Sequence, residues 1–114
     1  MIKLLAVGAA LAGLLAPTAT APARLGITAT EFRFSLSRTT VKRGQAIIEL
    51  DNFGQDVHDL RLRRVGGTRT YAVPETKPGA RAELTLKLAP GRYRLWCATG
   101  DHAARGMRAS FRVK

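Results

Sequence analysis

The chain is poor in the residues that staple, stack or catalyse. It has one cysteine, Cys97, two histidines, His58 and His102, and beyond the initiator a single methionine, Met107. One cysteine excludes an internal disulfide, so packing has to hold the fold together. Aromatic residues make up 6% of the chain. No series of them is interleaved with the basic residues, so the stacking platform that single-stranded nucleic acid needs is missing. Acidic residues number 8 against 19 basic ones, which excludes a cation-storing acidic surface. Beyond the N-terminal stretch no segment carries a sustained apolar stripe at helical spacing, which argues against a helical bundle.

What is present begins with a leader-like segment. Lys3 precedes an apolar run from Leu4 to Ala16, Pro17 breaks it, and Ala19-Thr20-Ala21-Pro22-Ala23 follows. Positive charge, a short apolar run and an A-x-A site are the secretory signal pattern. The run falls short of the roughly 20 residues that a spanning helix needs. Residues 1–23 are therefore read as a cleaved signal peptide, with an uncleaved anchor as the lesser alternative. The remainder, 24–114, is read as one domain working outside the cytoplasm, in the periplasm or extracellularly. With 114 residues in all and 46% hydrophobic composition there is no room for a second domain.

Lys3 is the only charged side chain in the leader, so the domain keeps 18 of the 19 basic residues and all 8 acidic ones, a net of +10. Such a balance suits acidic partner proteins or peripheral contact with an anionic membrane. Nucleic acid is not expected, because the basic residues fall at alternate positions, Arg61 and Arg63, Arg92 and Arg94, Arg108 and Arg112, rather than in one run. That spacing reads first as a solvated strand face.

Period-two alternation runs through most of the domain. Ala46, Ile48 and Leu50 alternate with Ile47, Glu49 and Asp51; His58, Leu60 and Leu62 with Asp59, Arg61 and Arg63. Leu84, Leu86 and Leu88, then Tyr93, Leu95 and Cys97, then Ala109, Phe111 and Val113 continue it, and Phe32 and Phe34 fit the first strands. Turn signals at Arg43-Gly44, Asn52-Phe53-Gly54, Gly66-Gly67, Pro78-Gly79 and Pro90-Gly91 separate the runs. Half-apolar strands of this kind predict an all-β Greek-key sandwich or barrel of antiparallel sheets, each with one wet face. The irregular stretch 65–80 is expected to cross between sheets.

The scarce donors are not scattered at random. Cys97 closes one predicted strand, Met107 opens the next, and His102 lies midway in the loop between them, a C-x4-H-x4-M spacing. His58 opens a strand on the face that carries Leu60 and Leu62. A free thiol in an exported protein invites oxidation, so it calls for protection or use. Each residue alone reads as ordinary core. As a set, two imidazoles, a thiolate and a thioether are the donors of a trigonal copper site with a weak axial sulfur. The predicted metal ligands are His58, Cys97, His102 and Met107.

On these residues the region from Ile27 to Val113 resembles the cupredoxins, the blue-copper proteins. The loop spacing is similar to that of rusticyanin, auracyanin and plastocyanin-like members. Thr40-Val41-Lys42-Arg43-Gly44, Ile48-Glu49-Leu50-Asp51-Asn52 and Gly91-Arg92-Tyr93-Arg94-Leu95-Trp96-Cys97 extend the likeness beyond the ligands. The resemblance implies one type 1 copper ion, cycling between Cu(I) and Cu(II), and a monomer that passes single electrons between redox partner proteins. It implies that both histidines bind through Nδ1, that Cys97 supplies the colour, and that Met107 is axial. It also implies that Tyr93 pins a β-corner, with an ordinary core aromatic as the alternative, and that Trp96 offers a lateral electron route, although packing is the first reading of that residue. Two residues depart from the pattern. Asp59 follows the first histidine where an Asn or Ser that bonds across to the cysteine loop is commoner, a bond that a carboxylate can also accept. Asp101 precedes the second, where Pro or Gly is commoner. A copper carrier or buffer using the same ligands is the alternative. An enzyme is not expected, since both histidines are assigned and no second cysteine is there to build a binuclear centre.

Overall fold

The computed structural model describes residues 20–114. The part of the predicted leader before residue 20 lies outside the described residues. Among those described there is no helix and there are nine strands: β1 (Ala23–Thr30), β2 (Arg33–Leu36), β3 (Thr40–Val41), β4 (Gly44–Asn52), β5 (His58–Arg64), β6 (Thr70–Thr76), β7 (Arg81–Leu88), β8 (Gly91–Trp96) and β9 (Arg108–Val113). They form a four-stranded sheet, β2-β1-β4-β7, and a five-stranded sheet, β3-β9-β8-β5-β6.

The alternation decides which side chains go inside. In the first sheet Leu25 pairs with Ile48 and Ile27 with Leu50, and all four are at most 1% exposed. In the second, Leu62 pairs with Leu95 and Tyr93 with Phe111, the last two stacking with ring centroids 5.2 Å apart. Each sheet has one apolar face, and only by covering each other can the two faces leave water. Burying each of these leucines and isoleucines contributes about 1.5–3 kcal/mol before entropy is counted. Tyr93 Oη donates to the carbonyl of Ala89, four residues upstream, at 2.8 Å, the corner-pinning contact of β-sandwiches.

Three features differ from the sequence expectation. β1 runs parallel to β4, and β3 parallel to β9, within otherwise antiparallel sheets. Period two specifies the face a residue takes, not the neighbour its strand takes. The stretch 65–80 contains a regular strand, β6, paired to β5; only residues 77–80 cross to the other sheet. Phe34 lies on β2 and is buried, but Phe32 belongs to the turn between β1 and β2.

Candidate metal centre

Three of the four predicted donors converge at one end of the sandwich. His58 opens β5, Cys97 directly follows β8, and His102 sits in the loop before β9. His58 Nδ1 and His102 Nδ1 are 3.2 Å apart, and Cys97 Sγ is 3.7 Å from His102 Nδ1. One donor atom from each of the three lies within 4.8 Å of the others. His58 and Cys97 have no exposed surface, while His102 keeps 8% and is the member nearest solvent. Met107 is also fully buried. Its carbonyl accepts the Cys97 N–H and its own N–H donates to the carbonyl of His102, both at 3.1 Å, so its backbone is tied to both.

The loop reaches this shape through local turns. His102 N–H donates to Thr99 O and Gly106 N–H to Ala103 O, each at 3.1 Å. Gly106 has φ 119°, and a Cβ there would stand 3.3 Å from the carbonyl oxygen of Phe32. Only glycine takes this backbone at so close an approach without strain.

Of the groups behind the donors, the sequence marks Asp59 by its place after His58. Alternation sends Asp59 outward, to the face of Arg61, yet it is 3% exposed, with a partner on each carboxylate oxygen. Its Oδ1 accepts the Ala98 N–H at 2.6 Å, and Arg61 Nε donates to its Oδ2 at 3.3 Å. Asp59 thus clamps the residue after Cys97 to the strand that carries His58. Trp96 points to the other face of β8 and is half-buried.

Glu31 was not foreseen at all. It stands 27 residues before His58, in the β1–β2 turn, and its Oε1 is 3.3 Å from His58 Nε2. The same oxygen accepts the N–H groups of Gln55 and Asp56 at 2.6 Å each. The Asp56 N–H is the main reason that the carboxyl is held down to about 2, with Gln55 adding to the effect against partial desolvation. Gly54 allows this wrapping, since a Cβ on it would fall 2.5 Å from Glu31 Oε1. A carboxylate on Nε2 leaves Nδ1 of His58 as the free lone pair facing Cys97 and His102. Asp56 Oδ2 stands 3.5 Å from Nε2 of His102, a longer approach by a half-exposed carboxylate. Phe32 meets the His102 ring edge-on at 5.0 Å, and the Arg105 guanidinium covers Phe32 at 4.2 Å. No periodic signal links residues 31 and 32 to 58 and 102.

The donor chemistry fits copper: a buried sulfur and two imidazole nitrogens with Nδ1 atoms turned to one point, each backed by a carboxylate on Nε2.

No protein-family model matches the sequence. No curated protein matches it either. Solved structures do. The reduced auracyanin of Roseiflexus castenholzii is 18% identical, with a TM-score of 0.68 over 83% of this chain and 99% of that one. Auracyanin A, a "blue" copper protein of Chloroflexus aurantiacus, is 17% identical, with a TM-score of 0.67 over 82% of this chain and 100% of that one. A multicopper oxidase is 15% identical, with a TM-score of 0.62 over 82% of this chain but only 45% of its own length. At such identities the likeness establishes architecture: two packed sheets in the cupredoxin fold.

Proposed function

We propose that this chain is an exported type 1 copper protein, binding one ion through His58, Cys97, His102 and Met107 and carrying single electrons. The observation that supports it most is the approach of His58 Nδ1, His102 Nδ1 and Cys97 Sγ in a buried pocket. Copper, when bound, supplies one-electron exchange between Cu(I) and Cu(II). The protein's part is to hold the donors still. Glu31 orients the His58 ring, Phe32 packs against that of His102, Asp59 ties the residue after Cys97, and Gly106 lets the loop close. A donor set that does not move between oxidation states keeps reorganisation small. Burial of His58, Cys97 and Met107 keeps water out. The leader over 1–23 and a monomeric state belong to the same reading.

The test is a visible spectrum of the purified protein titrated with Cu(II). An intense blue band saturating at one copper per chain and bleaching reversibly with ascorbate is expected. A colourless Cu(II) form would replace electron transfer by copper delivery.

Removing Glu31 probes the same centre from outside it. Glu31→Ala frees the His58 ring and the 53–57 loop together, and metal affinity should fall about 10- to 100-fold. Competition against a copper chelator measures this. Unaltered affinity would show that the carboxylate is a bystander.

A further inference from the structure

The outer face of the five-stranded sheet takes no part in the metal centre. On β5, β8 and β9 the outward positions are Arg61, Arg63, Arg92, Arg94, Arg108 and Arg112, with Trp96 and Ser110 among them. The register sets them in rows. Trp96 stands between Arg61 and Arg108, Arg94 between Arg63 and Ser110, and Arg92 beside Arg112. Like charges opposed across a ladder repel each other. The one carboxylate on these three strands is Asp59, which is buried and already bonded to Ala98 and Arg61. On the other sheet, by contrast, Glu49 and Asp51 both pair with Arg81. Between the arginine rows runs an open groove of about 850 Å³ that includes Arg63, Arg94, Arg108 and Trp96 and reaches Ala103, next to His102.

We propose that this arginine face is the docking surface for a partner protein that presents a carboxylate-rich patch, with Arg94 at its centre and Trp96 at the end beside Cys97. The guanidinium fork pairs with carboxylates two bonds at a time, and Trp and Arg are the side chains that dominate interface energies. An uncompensated, one-sided charge speeds encounter with an oppositely charged patch. The face suits a protein better than a bilayer, because its tryptophan is half-buried and cannot insert as a wedge. It suits a protein better than nucleic acid, because one aromatic is not a stacking series. Trp96 is bonded to Cys97, with its side chain on the outer face and that of Cys97 in the centre. A partner here therefore approaches on the thiolate side rather than over His102. The purpose of the contact rests on the electron-carrier reading, but the contact itself needs no metal.

The experiment follows amide and indole NMR shifts of the 15N-labelled protein, metal-free and copper-loaded, on titration with a short polyglutamate peptide. Parallel titrations use phosphatidylglycerol-containing vesicles and a short single-stranded oligonucleotide. Shifts confined to β5, β8, β9 and the Trp96 indole are expected, weakening as salt rises. The triple change Arg63→Glu, Arg94→Glu, Arg108→Glu should weaken peptide binding about tenfold or more, whereas the equal charge change Arg24→Glu, Arg33→Glu, Lys87→Glu on the other sheet should cost about twofold or less. Arg94→Gln serves if the triple variant does not fold, and should weaken binding alone. Equal losses from both triples, shifts spread over the whole surface, or preference for vesicles or oligonucleotide each overturn the proposal. If no copper binds, the electron-carrier reading fails while the metal-free titration still decides the docking face.

Discussion

Cys97→Ser is expected to abolish the blue colour completely while leaving the β-sandwich folded. The sulfur has no exposed surface and lies 3.7 Å from His102 Nδ1. A thiolate donates charge to copper and produces the intense absorption; a serine hydroxyl stays protonated near neutral pH and offers neither. The substitution is nearly isosteric, so its stability cost is that of one buried hydroxyl, about 1–3 kcal/mol, less if the hydroxyl bonds to His102. Far-UV circular dichroism should be unchanged and the visible band absent. A Cys97→Ser variant that keeps the band would remove the thiolate from the coordination set, and with it the electron-carrier reading.

Asn52→Ala should produce the largest loss of stability among single changes near the site. Asn52 is 2% exposed and ends β4. Its Nδ2 donates to the carbonyls of Asp56 and Thr76, and its Oδ1 accepts the Gly54 N–H, all at 2.8 Å. It thereby joins the end of one sheet to the last residue of β6 in the other, and shapes the loop that carries Asp56. Alanine leaves these backbone groups without their partner. At about 1–3 kcal/mol for each group left buried and unsatisfied, the total should reach about 3–5 kcal/mol, since water reaches part of the loop. For a domain of this size that lowers Tm by more than about 10 °C. Asn52→Asp separates the terms: it can still accept from Gly54 but can donate to neither carbonyl, so it too should be strongly destabilised. Thermal unfolding of the metal-free protein checks both. A loss below about 1 kcal/mol in Asn52→Ala would mean that the three bonds are replaced by water at no cost.

Much of the fold was legible because its cause is local. Ala46, Ile48 and Leu50 are fully buried, as their alternation requires, and so are His58, Leu60 and Leu62. Leu84 follows the same pattern but is only half-buried, whereas Leu86 and Leu88 further along the edge strand β7 are buried. Asp59 is buried at an outward position because its partners, Arg61 and the backbone of Ala98, stand over it, which alternation does not encode. The parallel pairing of β1 with β4 was illegible for another reason: an apolar face attracts any strand with a matching face, whatever its direction.

The same division runs through the site. Donor types, their scarcity and their inward or loop positions could be read along the chain, because period two and the C-x4-H-x4-M spacing act over a few residues. That Asp59 can bond to the cysteine loop was legible from its place after His58, but that Glu31 backs His58 and that Phe32 shields His102 came only with the closed fold. Those contacts join segments distant in the chain, and they exist because two apolar faces close on each other and carry the strand ends to a common edge.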